Sequence, residues 1–186
     1  ASFEQCGNMV DAVIDRFGKI DILVNNAGII RRADAIDFTE ADWDAVMDVN
    51  LKTAFFLSQA VAKRMIPNGR GKIINIASML SFQGGIRIPS YTASKSGLAG
   101  LTRLLACEWA GKGINVNAIA PGYFVTNNTT ALREDAKRSS DILARIPAGR
   151  WGDPKDIGGT AAFLASPAAD YIHGAIIPVD GGWLAR

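Results

Sequence analysis

The sequence has no long apolar run, no cluster of metal-binding side chains and no large excess of either charge. No stretch approaches the about 18 consecutive apolar residues of a spanning helix, so no membrane partner is expected. Its one histidine, His173, cannot hold a metal by itself, so no metal site is expected and a structural role is assigned to it. The two cysteines, Cys6 and Cys107, have neither metal-ligand spacing nor the density of a disulfide framework. A reducing, cytoplasmic setting follows as the expectation, with Cys107 packing as a small apolar side chain. The formal net charge of +2 gives no basic field of the kind that draws nucleic acid. Repeats, low-complexity tracts and linkers are also missing.

What remains is a chain of 186 residues, 48% hydrophobic, which is enough for one sizeable core and reads as a single domain over 1–186. Apolar Phe3, Met9, Val10, Val13, Ile14 and Phe17 mark one face of a helix that includes Ala1 and ends at Gly18. Ile22-Leu23-Val24 then leads as a strand into Asn25-Asn26-Ala27-Gly28, where small residues let a ligand approach the backbone. Helices follow around Glu40 to Met65. Gly71-Lys72-Ile73-Ile74-Asn75-Ile76-Ala77 is a β-branched run that reads as a buried strand ending at Ser78. Pro89-Ser90 opens a helix running from Tyr91 to Gly111, and a strand from Ile114 leads to Pro121-Gly122. Short helices near 134–145 and 154–165 and a last strand near 175–179 complete the order. Pro178 inside that strand cannot donate to a ladder, which predicts an edge or an irregularity there. Strands alternating with helices predict an α/β fold, a doubly wound parallel sheet with covered faces.

Chemistry concentrates at the strand ends, where open α/β sheets take ligands. Tyr91 and Lys95 are four positions apart and share a helix face, and Ser78 lies thirteen residues upstream. A charge about 4 Å from the phenol is worth roughly 4 kcal/mol, about three pK units, at an effective dielectric near 20. Lys95 is therefore expected to bring the Tyr91 phenol down to where it exchanges protons near neutrality, with Ser78 holding the oxygen that gains or loses the proton. A surface Tyr–Lys pair beside an unrelated serine is the plain alternative, because this spacing alone is weakly specific.

Taken together, Asn25-Asn26-Ala27-Gly28, Asn50, Ser78, Tyr91-x-x-x-Lys95, Asn117, Pro121-Gly122 with Thr126, and Val179-Asp180-Gly181-Gly182 resemble the short-chain dehydrogenases/reductases, in that family's order and over nearly the whole chain. Ser78 to Arg87, Thr126 to Thr129, Arg145 to Gly152 and the ending Asp180 to Arg186 are further similar to the 2-deoxy-D-gluconate 3-dehydrogenase and 2-dehydro-3-deoxy-D-gluconate 5-dehydrogenase group. The resemblance implies a Rossmann-like fold and hydride transfer between a nicotinamide cofactor and a keto or hydroxy group of a sugar acid. NAD is the expected cofactor, with NADP open. Tyr91 is implied as general acid/base and Lys95 as the group that lowers its pKa and holds the nicotinamide ribose. Ser78 would position the substrate oxygen, and Asn50 would anchor a water linking Lys95 to solvent. Asn26, Ala27 and Gly28 would line the ribose side, and Pro121, Gly122, Phe124 and Thr126 would border the nicotinamide. The long helices are implied as a dimer face within a homodimer or homotetramer.

The family's glycine-rich turn, TGxxxGxG, which sets a pyrophosphate at a helix N-terminus, does not occur in these residues, nor does the residue that selects NAD or NADP. The expectation is the carboxyl-terminal part of such a domain, lacking its first strands, with an apolar edge exposed beside the strand ending at Asn26. Arg31, Arg32, Arg87 and Arg150 fall near site-forming loops, and a guanidinium can grip a carboxylate with two parallel bonds. Arg87 is the choice for the substrate carboxylate, and the segment from Tyr123 to Ile146 is expected as a mobile lid. Two other functions fit the residues: an inactive fragment or pseudoenzyme serving as oligomer partner, and a 3-oxoacyl-carrier reductase of the same family.

Overall fold

A computed structural model of the chain describes residues 2–186, so Ala1, placed in the first helix by its sequence, lies outside the described residues. Helix α1 spans Phe3–Phe17. Ser2 caps it reciprocally with Gln5, each side chain accepting from the other's backbone N–H. Gly18 ends it at φ 80°, a conformation that glycine adopts without penalty. The remaining elements are β1 (Ile22–Asn25), α2 (Glu40–Met47), α3 (Thr53–Met65), β2 (Gly71–Ile76), α4 (Pro89–Trp109) and β3 (Ile114–Pro121). After these come α5 (Thr130–Glu134), α6 (Ala136–Arg145), α7 (Lys155–Ala165) and β4 (Ile176–Val179).

The four strands form one parallel sheet in the order β1-β2-β3-β4. Neighbouring side chains of β2 point to opposite faces. Ile73 packs with Val61, Met65, Leu105 and Trp109 beneath α1, α3 and α4, whereas Ile74 packs with Ile119 and Leu164 beneath α7. Burying each of these large side chains contributes about 1.5–3 kcal/mol. The doubly wound parallel architecture expected from the alternation of strands and helices is thus present, and the central strands are covered on both sides. As the sequence predicts, β1 is an open apolar edge: Ile22 and Val24 are each 45% exposed. Pro178 lies opposite Ala120 in β4, which among the described residues pairs only with β3.

At the amino ends of the strands, buried Lys72 donates to Asn115 Oδ1 at 3.0 Å and to the Asp170 carboxylate. That hydrogen bond holds the Asp170 carboxyl below the usual carboxylate range. Asn115 in turn donates to the carbonyls of Asp170 and Ile172, both at 2.9 Å, and lies 3.3 Å from His173 Nε2. His173 therefore belongs to a clip that fastens the turn before β4 to β3. Among the described residues no group of histidine, cysteine and acidic side chains is placed to hold a metal ion, and no helix is long and apolar enough to cross a membrane.

Candidate active site

The carboxyl ends of β1, β2 and β3 bring the predicted residues together. At the end of β1, buried Asn25 donates through Nδ2 to Asn75 Oδ1 at 2.8 Å and to Ser58 Oγ at 3.0 Å. Asn75 passes the chain on to Thr102 Oγ1 at 2.9 Å. This ladder locks β1, β2, α3 and α4 in register. Asn75 and Thr102 carry no motif signal, and only the packing of β2 on α4 shows their part. Beyond Asn25, Asn26, Ala27 and Gly28 lie open to solvent at the strand end.

Asn50 sits in a π-helical turn, Asp48–Lys52, between α2 and α3; such single-turn expansions are frequent at functional sites. The turn rotates Asn50 inward, where it is 1% exposed. Its Oδ1 accepts from the Ile29 N–H at 2.8 Å, and its Nδ2 donates to the Ile29 carbonyl at 2.9 Å and Ser94 Oγ at 3.2 Å. Asn50 thus fastens the loop after Gly28 to α4, one residue from Lys95. A β-carbon on Gly28 would stand 3.5 Å from Asn50 Oδ1 and 3.6 Å from Lys95 Nζ, so the three residues form one cradle.

Ser78 ends β2 and caps a short turn, Met79–Ser81, accepting from the Leu80 N–H at 3.2 Å. Two further hydroxyls fix that turn to α4: Ser81 Oγ donates to the Lys95 carbonyl at 2.8 Å, and Ser96 Oγ donates to the Leu80 carbonyl at 3.0 Å. Neither serine was singled out in the sequence; their spacing to Lys95 becomes informative only once the turn folds back. Pro89 starts α4 with its fixed φ, which sets Tyr91 in the first turn and Lys95 one turn on. The Tyr91 phenol lies beside Ser78, whose hydroxyl favours its ionised form.

The electrostatics differ from the expectation for this pair. Burial pushes the Tyr91 phenol up, while the Ser78 hydrogen bond and the Arg32 charge pull the other way and are the weaker causes. Burial also lowers Lys95 to about 8. Lys95 Nζ lies 5.6 Å from the centre of the Tyr91 ring and donates to the Ile76 carbonyl at 2.6 Å. A buried ammonium half-neutral near pH 8 exerts only a fraction of a full charge. The large Coulomb lowering expected from spacing is therefore outweighed by desolvation of both groups.

At the end of β3, Gly122 donates its N–H to the Val179 carbonyl at 2.9 Å, and a β-carbon there would stand 2.6 Å from Asp180 Cα. Pro121 and Gly122 are the half-buried floor of this third strand end. The Phe124 ring is 6% exposed and packs on Gly152, so its contribution to a ligand wall is limited to backbone. Thr126 caps the short turn Asn127–Thr129, accepting from Thr129 Oγ1 through its carbonyl at 3.0 Å. The helix expected over about 134–145 is present as α6, which Asp135 caps by accepting from the Arg138 N–H; Asp135, at φ −79°, ψ 102°, also separates it from the short α5 before it.

The four arginines separate. Arg31 pairs with Asp42 at 3.2 Å and Arg150 grips Asp156 through two bonds of 2.7 and 3.1 Å. Arg87 pairs with Asp34 at 3.1 Å at an exposed position, with a left-handed backbone at φ 63°. Arg32 has a different setting: it donates to the Asn128 carbonyl at 3.1 Å, and its charge reaches the Tyr91 phenol.

The strand-end site, the Tyr91–Lys95 turn and the doubly wound sheet are those of one enzyme class, and the chain belongs to the short-chain dehydrogenase/reductase family. A family model described as enoyl-(acyl carrier protein) reductase matches residues 1–184. The chain is 66% identical over 179 residues to the 2-dehydro-3-deoxy-D-gluconate 5-dehydrogenase of Dickeya dadantii, covering 96% of this chain and 71% of that one. Among solved structures it is similar to a protein described as a 2-deoxy-D-gluconate 3-dehydrogenase from Agrobacterium tumefaciens with bound NADP. That match has 66% identity and a TM-score of 0.92, covering 100% of this chain and 75% of the other. A gluconate 5-dehydrogenase from Burkholderia cenocepacia J2315, in complex with NADP and tartrate, matches at 45% identity and a TM-score of 0.97, covering 100% and 72%.

Proposed function

We propose that residues 1–186 belong to one Rossmann-like domain of a nicotinamide-dependent oxidoreductase acting on a keto or hydroxy group of a 2-dehydro-3-deoxy-hexonate sugar acid. The observation that carries the chemistry is the convergence of Ser78, Tyr91, Lys95 and Asn50 at one set of strand ends, with the Tyr91 phenol beside Ser78 and Lys95 Nζ beside the Tyr91 ring. The 66% identity to a 2-dehydro-3-deoxy-D-gluconate 5-dehydrogenase supports the substrate class over an acyl-carrier substrate or an inactive oligomer partner.

The cradle of Gly28, Asn50 and Lys95, whose space a β-carbon on Gly28 would take up in van der Waals contact with both side chains, fits the ribose and nicotinamide half of the cofactor, with Asn26, Ala27, Pro121, Gly122 and Thr126 assigned to its rim. That group, when bound, supplies or takes up the hydride. NADP, carried by both solved neighbours, and NAD both suit this half of the site. The protein's part is positioning and proton handling. Ser78 holds the substrate oxygen against the phenol. In reduction, the carbonyl carbon gains the hydride while its oxygen takes the proton from Tyr91; in oxidation both return. A phenol pushed up by burial is a neutral donor, ready for reduction. Lys95, lowered to about 8 by burial, is held beside the Tyr91 ring by its bond to the Ile76 carbonyl. Exposed Leu104 on α4 and half-buried Phe55 and Phe56 on α3 suit the homodimer or homotetramer face.

Arg32 replaces Arg87 as our candidate for the sugar-acid carboxylate. Among the described residues no carboxylate holds its guanidinium, whereas Arg87 pairs with Asp34. Arg32→Ala is expected to raise the KM for the sugar acid about ten-fold or more, equal to roughly 1.4 kcal/mol of lost binding, with the cofactor KM unchanged. Arg87→Ala should stay within about two-fold of wild type. Steady-state kinetics of both variants decide; a larger effect at Arg87 than at Arg32 reverses the assignment.

A further inference from the structure

The last turn of the chain is fastened to both sides of the proposed site, yet no proton or hydride step uses it. Asp180 shapes it: Oδ1 accepts from the Gly182 N–H and Oδ2 from the Leu184 N–H, each at 2.9 Å. Gly181 and Gly182 take φ 65° and 89°, which aims Trp183 back into the fold, where it is 4% exposed. Three contacts meet on the indole. Tyr123, just past the end of β3, stands edge-on at 4.8 Å. The Arg145 guanidinium of α6 lies over the ring at 4.0 Å. The indole N–H donates to Gln83 Oε1 at 3.1 Å.

Gln83 closes the turn that begins at Ser78. Its N–H and that of Phe82 both donate to the Met79 carbonyl, and the Ser81 N–H donates to the Ser78 carbonyl at 2.9 Å. Met79 packs with Trp183, Ile142 and Ile146 in one apolar cluster. The terminal Arg186 adds a bond to the Ala144 carbonyl at 2.7 Å. One side chain therefore joins the segment carrying Ser78, the segment following β3 and helix α6.

We propose that Trp183 is a positioning residue that clamps the Ser78 turn against α6 and so fixes the substrate side of the cleft. The proposal rests on the proposed function for its kinetic consequence alone; the clamp is a matter of contacts. A tryptophan that only fills space would be indifferent to its N–H partner. The Gln83 bond is thus the distinguishing feature, and it can be removed without touching the indole.

The test uses the purified chain with Gln83→Leu, Gln83→Glu, Trp183→Phe and the double variant Trp183→Phe/Gln83→Leu. Amide exchange by mass spectrometry reads the turn, and kinetics with a 2-dehydro-3-deoxy-hexonate read the site. Exchange of the Ser81, Phe82 and Gln83 amides should rise about ten-fold in Gln83→Leu and Trp183→Phe, with β2 and β3 unchanged. Gln83→Glu, which keeps an acceptor, should stay near wild type, and the double variant should exchange no faster than Trp183→Phe. The sugar-acid KM should rise several-fold with kcat and cofactor KM within about two-fold. Wild-type exchange in Gln83→Leu, or a rise spread equally through β2 and β3, overturns the clamp and leaves the proposed function standing. The expected exchange pattern across the variants, together with a wild-type protein that turns over no hexonate, supports the clamp and overturns the substrate.

Discussion

Tyr91→Phe is expected to abolish turnover while leaving the fold intact. The substitution deletes one oxygen, the one beside Ser78, and with it the proton that the substrate oxygen must gain or lose. General acid/base groups contribute about a hundred- to ten-thousand-fold, so a loss in that range is predicted. Stability should change by no more than about 1 kcal/mol, the ordinary net worth of a hydrogen bond. Lys95 and Asn50 keep their partners, since neither the Ile76 carbonyl nor Ser94 depends on the phenol. Cofactor titration should therefore match wild type. Substantial residual turnover would remove Tyr91 from the acid/base role.

Gly113→Ala is expected to be the most damaging single methyl. Gly113 sits where the chain enters β3 at φ 79°, and its carbonyl accepts from the Gly71 N–H at 3.2 Å. An added β-carbon would lie 1.9 Å from the Gly69 carbonyl oxygen and 2.5 Å from its carbon. Those are backbone atoms, which cannot swing aside as a flexible side chain could. The left-handed conformation alone costs alanine about 1–2 kcal/mol. With the forced separation of the β2 and β3 starts added, a total of about 3 kcal/mol or more is expected. At roughly 2–4 °C per kcal/mol for a chain of this size, Tm should fall by about 6–12 °C. Gly149→Ala is the control: φ is 68° but nothing lies within 4 Å of the new carbon. Calorimetry giving equal losses at the two positions would refute the steric account.

The residues legible in the sequence are those whose roles are announced locally. Ser78 stands at the end of a β-branched run, and Tyr91 follows the Pro89 that starts a helix; Gly28 follows an apolar strand. Each assignment needs only the neighbouring residues. Arg32 and Arg87 were not separable in that way, because the difference lies in Asp34, which neutralises one of them across a folded loop. The direction of the Tyr91 pKa was likewise hidden. Spacing fixes how close Lys95 can come, whereas burial, which decides the sign here, depends on everything packed around the phenol. Trp183 and Gln83 lie 100 residues apart, so no window of sequence joins them. The short α5 before Asp135 carried no signal in the sequence, because five residues are too few to show an apolar period.

The most direct test of the central claim is the rate at which the protein reduces oxidised nicotinamide cofactor, NAD+ or NADP+, with a 2-dehydro-3-deoxy-hexonate and, separately, consumes NADH or NADPH with a 3-oxoacyl thioester. The account predicts reduced cofactor formed one-for-one with oxidised hexonate, with the thioester inert. Turnover of the thioester with no turnover of the hexonate would contradict it.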